Sequence, residues 1–458
     1  MDSASSIWAC PVPVGITPGD IAVSDPGLGD VSTLATAFVK HGSSGAPSEI
    51  DLVVFDEGGT TQYSDTFSAP ELSTGYPVPL CRYPAVEVTY SRRQGGDRGL
   101  LAVEVIWSQL TNPLAPHWDL YYHRIYFHVT DPEGIWWEDF VLESQIVRIQ
   151  STASGFDEFQ PDLCVHAESG DLYAVFNRRD PTDPALDKIY AVRHPYRGDV
   201  VKWSPYWETP YKICGDDARP RSAPKVDAGP IELDEGITLP RVAATWSELY
   251  DEHTWQVWYN DWDPGNPGTP SQTAEPVTQN TPGRINALPQ IDITPDSSLI
   301  HQAVIAWFHC RWVLYPDPPH YEEFAVWMTA TPDLDGSTVI PGTSICPDVA
   351  CYQMSDPDEH WFGLSYYVPA GEDPWPVRTH RFTFSVDWET ESVSIESMLS
   401  TDVPDSNGRW NLDNPFTGST LNLREPMSPL EQSSFAVGWV DKEDGDEFMA
   451  YLSRGTIL

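Results

Sequence analysis

Apolar and polar residues alternate along this chain in short bursts, and the bursts recur. Five of them open on a proline: YPAVEV at Pro84, QPDLCV at Pro161, APKVDA at Pro224, LPQIDI at Pro289 and CPDVAC at Pro347. Looser copies are TPGDIAV at Pro18 and NPFTGSTLNL at Pro415. These prolines follow one another about 60 to 75 residues apart. After each comes a second alternating run with an aromatic near its end, among them LATAFVKH, LLAVEVIWSQ, DLYAVFNRR, PRVAATWSE, QAVIAWFH, WFGLSYYV and FAVGWVDKE. A third, aromatic-rich run follows, for example WDLYYHRIYFHV or TWQVWYNDW, and in most copies a weaker fourth, such as GIWWEDFVLE or VVKWSPYWETP. Alternation with period two marks a half-buried strand.

A four-strand antiparallel unit of this size cannot cover both of its faces alone, so copies are expected to stack radially as propeller blades. Seven copies predict an all-β, seven-bladed propeller in one domain over residues 1–458. The blades fall near 18–74, 75–150, 151–213, 214–281, 282–343, 344–402 and 403–458. The proline is expected to open the innermost strand, where a missing N–H costs least, and the second-strand aromatic to pack between adjacent blades. After EFMAYLSR no fourth run remains, whereas IWACPVPV at 7–14 precedes the first copy. That N-terminal strand is expected to join the last blade and close the ring without an open edge. The competing arrangement, two β-sandwiches, needs a linker midway. The 43 Pro and 31 Gly are instead spread over the whole length.

Charge changes the picture next. There are 68 Asp and Glu against 26 Lys and Arg, a formal −42. Nucleic acid is excluded as a partner class on that balance, because phosphate binding needs a basic face. An acidic, lysine-poor surface suits high salt, and equally an exported protein with calcium sites. No run of 18 apolar residues appears, so no membrane span is expected. Seven cysteines lack any CxxC spacing; Cys346 and Cys351 are placed to form a local disulfide, and the rest read as buried thiols. The start, MDSASSIWAC, has neither a basic nor an apolar leader region. An extracellular or periplasmic chain that has lost its signal peptide would begin this way, and so would a cytoplasmic one.

A proline before the inner strand, an apolar run ending in Trp-Ser-Gln or Trp-Ser-Glu, then an aromatic third strand: this order resembles the sialidase-like propellers. That superfamily holds glycoside hydrolases, polysaccharide lyases, lectins and proteins without known activity. Its Asp-box turn is not intact here; VTDPEGIWW (Asp131, Gly134, Trp136) and TPDLDGST are the nearest remnants. Sialidases carry an Arg-Ile-Pro motif whose arginine binds the substrate carboxylate, and CRYP places Arg82 two residues before Pro84. The resemblance further implies, for a full sialidase site, three converging arginines, a Tyr–Glu nucleophile pair and an aspartate acid/base, which the sequence does not assign to positions.

Three sets of residues are candidates for chemistry. His123, His166, Tyr173, Arg178 and His194 concentrate in the second and third copies. There an arginine could neutralise a uronate while Tyr or His moves a proton. Trp203, Trp207, Trp361 and Trp375 stand in or beside loops rich in proline and acid, where flat rings suit stacking on sugars or on a protein neighbour. The acidic loops carrying Asp333, Asp335, Asp441, Asp444 and Asp446 could bind calcium, although Asp-Gly is also ordinary turn chemistry. No other cofactor is expected. The function expected is a non-catalytic binding or assembly module, recognising a glycan or protein through one face, within a surface assembly. The alternative is a polysaccharide lyase or glycoside hydrolase built on the His/Tyr/Arg group.

Overall fold

The computed structural model describes residues 6–11, 34–41, 48–55, 61–69, 81–92, 98–110, 117–130, 136–143, 146–149, 155–166, 169–180, 183–195, 206–234, 237–265, 273–294, 301–314, 320–340, 342–353, 360–369, 376–403, 420–424, 434–442 and 448–456. Among these residues there are strands and their connections, and no helix. Strand β1 is Ser6–Pro11. The strands β2 (Leu34–His41), β3 (Ser48–Phe55) and β4 (Thr61–Phe67) make a three-stranded sheet. The second sheet holds β5 (Cys81–Arg92), β6 (Arg98–Leu110), β7 (Trp118–Thr130) and β8 (Trp136–Glu143), with β9 (Val147–Arg148) also on β7. The third runs β10 (Asp157–Val165), β11 (Leu172–Asp180), β12 (Asp183–His194), β13 (Tyr211–Lys212).

The next two repeats are β14 (Arg221–Asp234), β15 (Ile237–Asp251), β16 (Thr254–Trp262), β17 (Glu275–Pro276), and then β18 (Arg284–Ile293), β19 (Ala303–Val313), β20 (His320–Ala330), β21 (Asp333–Val339). A single parallel contact, Trp255 with Ile285, joins them into one eight-stranded sheet. Then come β22 (Ile345–Gln353), β23 (His360–Tyr367), β24 (Val377–Asp387) and β25 (Ser392–Asp402). The last sheet contains β26 (Thr420–Arg424), β27 (Ser434–Lys442) and β28 (Phe448–Thr456), and its fourth strand is β1, antiparallel to β28 from Ser6–Arg454 to Pro11–Met449. Over the described residues the architecture is all-β, made of successive antiparallel sheets, three of the six four-stranded. The copies at Pro18 and Pro415 lie outside the described residues.

The repeated proline sits differently from the sequence expectation. Pro84, Pro161, Pro224, Pro289 and Pro347 all lie inside their strands, each at a one-residue register shift against the next strand. The residue before each of the first four has a left-handed backbone: Tyr83 (φ 52), Gln160 (φ 53), Ala223 (φ 52) and Leu288 (φ 53). These are β-bulges. A bulged position has no ladder bond to offer, so proline loses nothing there, and the kink turns the start of the inner strand.

The second-strand aromatics pack as the repeat implies. Trp107 enters a core with Ile50, Leu52 and Phe67 of the preceding sheet. Phe176 packs with Ile106 and Leu120, Trp246 with Tyr173 and Val175, Trp307 with Ala243 and Val257, and Tyr366 with Val304 and Val326. Each aromatic covers the sheet before its own. Truncating one such ring to alanine costs about 3–5 kcal/mol in cores of this kind.

A further repeat-wide device emerges only from the register. The residue three before the repeated proline lies across from the third residue of the Trp-Ser-x stretch: Cys81 with Gln109, Glu158 with Arg178, Arg221 with Glu248, and Asn286 with His309. All four pairs are hydrogen-bonded, at 3.4, 2.7, 2.9 and 2.8 Å. In the third and fourth repeats the same ion pair is built with its signs exchanged.

Cys351 is a free, buried thiol, as are Cys81, Cys164, Cys214 and Cys310. The local disulfide with Cys346 is therefore not formed. Both strands of this sheet use the Cys351 backbone in pairing and its side chain in the core.

Candidate functional site

The bulges and the β6–β7, β11–β12, β15–β16 and β19–β20 hairpins occupy the same ends of their sheets. Arginines cluster at those ends, and nearly all are committed. Arg178 pairs with Glu158 (2.7 Å), Arg179 with Asp187 (2.9 Å), and Arg219 and Arg221 with Glu248 (2.9 Å each). Arg148 pairs with Asp119, and Arg311 with Glu323 (3.1 Å).

Two among the described residues are exceptions: Arg284, which is exposed, and, beside the bulge of the second sheet, Arg82. It is half-buried, and its Nε is sealed from solvent with no hydrogen-bond partner. No carboxylate among the described residues forms an ion pair with it. Its guanidinium carbon sits 5.5 Å from the Trp118 ring centre. The Trp118 N–H donates to Asp157 Oδ1 at 2.9 Å, which ties the start of β7 to the start of β10. The adjacent Tyr83 ring lies 6.5 Å from Phe159, and Arg179 stacks over Phe159 at 4.6 Å. A cation that is desolvated on one edge, set beside an indole face and lacking an acid among the described residues, can accept an anion and an apolar sugar face together.

The five catalytic candidates do not meet at one point. Arg178 faces Glu158, while His166 follows Val165, which pairs with Leu172 at the other end of β11. Six strand residues separate those ends, roughly 20 Å. His166 is buried in its turn, with Nδ1 3.0 Å from the Ser169 hydroxyl. Tyr173 donates to the Pro264 carbonyl at 3.1 Å, and burial raises its pKa, so its proton stays on. His194 is buried against Trp207 (5.2 Å) and Tyr122 (5.8 Å), and His123 is packed on Phe67 (4.9 Å). The histidines held clearly neutral are two others. Burial, then Arg284, lowers His309 to about 4; burial, then Arg378, lowers His380 to about 4. Both are tied into the core, by Asn286 at 2.8 Å and by Ser397 at 2.7 Å.

A Tyr–Glu pair does exist. The Tyr122 hydroxyl donates to Glu104 at 2.5 Å, with Arg124 on the same carboxylate at 2.6 Å. Tyr122 and Glu104 are fully buried between the second and third sheets. Burial, followed by the charge of Glu104, raises the phenol's pKa well above its ordinary value. The Tyr122 ring packs in one core with Leu163, Leu172 and Phe176 of the third sheet.

Of the aromatic candidates, Trp207 is half-buried against Tyr122 (5.1 Å) rather than presented as a free face. Trp361 lies on β23 with its side chain outside the described residues, and Trp203 and Trp375 are outside them entirely. The same holds for Asp444 and Asp446, and for the side chains of Asp335 and Asp441. Asp333 caps its own turn: Oδ1 accepts the Gly336 N–H at 2.7 Å, and Oδ2 the Val393 N–H at 3.3 Å. Among the described residues no three His, Cys, Asp or Glu side chains converge as a metal site. Trp118, which lies beside Arg82, and Phe159 and Arg179, which lie beside Tyr83 and each other, were not singled out from the sequence. Trp118 opens its strand without a motif, and Phe159 arrives from the next sheet.

No family model matches this chain, and no curated protein matches it. Among solved structures it is similar to a Trypanosoma rangeli sialidase in complex with sialic acid. The identity is 11%, over 83% of this chain and 59% of that one, with a TM-score of 0.41. A Hadza microbial sialidase is 10% identical over 89% of this chain and 74% of its own, with a TM-score of 0.42. An α-L-arabinofuranosidase from Lactobacillus brevis is 11% identical over 67% and 91%, with a TM-score of 0.32. At these values the likeness is one of strand arrangement alone.

Proposed function

We propose that this chain is a glycan-binding module, a seven-bladed, sialidase-like propeller in one domain whose ring is latched by β1, acting outside the cytoplasm in a surface assembly. Its ligand carries a carboxylate or another anionic group, which Arg82 engages while a sugar face lies on Trp118 and Tyr83. The observation that carries this reading is Arg82 itself: a half-buried guanidinium with an unpartnered Nε, in a chain where acids outnumber bases by more than two to one. The part of that guanidinium left open to solvent offers an anion charge-assisted hydrogen bonds where no described acid competes for it. The separation of His166 from Arg178 supports binding over catalysis.

Glycan-array binding, run with calcium and with chelator, tests the reading. Acidic glycans should be retained by the wild type. Arg82→Ala should weaken them by about thirty-fold, on the order of 2 kcal/mol, and Arg82→Lys should restore only part of that. Equal binding by Arg82→Ala would refute the site. Release of unsaturated, absorbing products from uronic-acid polymers would instead establish the lyase alternative.

A further inference from the structure

The innermost strands of neighbouring sheets are stitched together by aspartates. Asp162 on β10 accepts the Val226 N–H of β14 at 2.9 Å. Asp227 on β14 accepts the Ile293 N–H of β18 at 2.6 Å. Asp292 on β18 accepts the Cys351 N–H of β22 at 2.5 Å. The same device thus steps from one repeat to the next across three junctions, satisfying strand N–H groups from the adjoining sheet.

The middle junction is unlike the other two. There the Ile293 N–H is shared: it reaches Asp227 Oδ2 at 2.6 Å and Asp292 Oδ1 at 3.0 Å, so two carboxyl groups crowd one donor. Asp227 Oδ1 also accepts the Ala228 N–H at 2.8 Å. The groups facing the pair come from four elements. From β10 there are Asp162 and Cys164, and from β22 Cys351. Glu87 of β5 reaches the same cluster through Cys164. The cation of β14, Lys225, is engaged by Asp162 at 3.0 Å. Across the ladders, Asp227 is opposite Ala243 and Asp292 opposite Val304, which contribute no charge.

Two carboxylates in direct contact repel each other unless one is protonated, and a single proton between them turns repulsion into a hydrogen bond. We infer that Asp227 and Asp292 share one proton across the junction of the fourth and fifth repeats, and that this proton is a pH-sensitive latch between their innermost strands. Burial is the largest influence and raises the Asp227 pKa; the interaction with Asp292 and the Ala228 and Ile293 N–H groups oppose it in part, and the charge of Asp162 adds to the rise. Because the folded-state value lies above the unfolded one, the latch contributes fully at low pH and is lost as pH rises through the folded value. An ordinary ion-paired carboxylate behaves in the opposite sense. The inference does not depend on what binds at Arg82.

Unfolding of the full chain, followed against pH from about 5 to 9, tests the latch. The wild-type folding equilibrium constant should fall by up to tenfold per pH unit while the folded state keeps the shared proton that the unfolded chain has lost, and should level off once that proton leaves. Asp227→Asn keeps the shape and donates a permanent N–H to Asp292, so its curve should lose that descent; Asp292→Asn should do the same. Variants that descend in parallel with the wild type would overturn the inference. Should neither variant fold, carboxyl carbon resonances of the wild type decide it. One aspartate must titrate well above the ordinary value near 4, and a set that all titrate in the ordinary range would end the proposal.

Discussion

At the scale of single residues, the exchanged ion pairs carry the most information. Glu158–Arg178 and Arg221–Glu248 occupy the same two positions in successive repeats, with acid and base traded across the ladder, and all four side chains are buried. Removing one partner of such a pair strands a charge in the core. Glu158→Ala should therefore destabilise the chain by about 3–5 kcal/mol in denaturant unfolding. The double variant Glu158→Arg with Arg178→Glu copies the arrangement of the next repeat, so it should recover much of the loss. Recovery will be incomplete, because Arg178 also lies 4.0 Å over the Tyr190 ring, a contact glutamate cannot make. A double-mutant cycle without coupling would show that the two positions act independently. Trp-Ser-Gln and Trp-Ser-Glu were legible as one position in two copies. What the third residue does was not, since its partner lies some 28 residues away and only the register brings them opposite each other.

At the scale of strands, alternation located most elements, because a half-buried strand must write its burial into period two. It placed the repeated proline at a strand's opening, whereas the ladder bulges around it. Alternation counts apolar positions and cannot see an extra residue inserted between two of them. The same blindness explains Trp207, read as an exposed ring in a proline-rich loop but packed on Tyr122, and the dispersal of the His/Tyr/Arg group. His166 follows β10 beside the start of β11 and Arg178 lies near the end of β11, so the length of a strand holds them about 20 Å apart. Arg82 was legible because it stands two residues before the proline; its aromatic neighbour, Trp118, comes from another strand. The pairing of β1 with β28 makes the element-scale prediction. A chain lacking residues 1–11 leaves the β28 edge with unpaired N–H and C=O groups. Its melting midpoint should drop by several degrees and its light scattering at high concentration should rise. An unchanged midpoint would mean that this strand pairing contributes little in solution.

At the scale of the whole molecule, charge sets two opposed responses to salt. Most described arginines are spent on buried or half-buried ion pairs, so they offset little of the surplus of 68 acids over 26 bases at the surface. The surplus repels itself, and the folded state, being compact, suffers more than the unfolded chain. Raising sodium chloride from about 0.05 to about 1 M shortens the screening length from more than 10 Å to about 3 Å. The melting midpoint should consequently rise over that range. The buried pairs, which salt hardly reaches, should neither add to the rise nor oppose it. Binding of an anionic glycan at Arg82 should move the other way, since the same ions screen a half-exposed guanidinium from its ligand. Measuring both in one salt series separates the two effects: stability climbing while affinity falls is the expected pair. A midpoint indifferent to salt would mean that self-repulsion of the acidic surface is not what limits this fold.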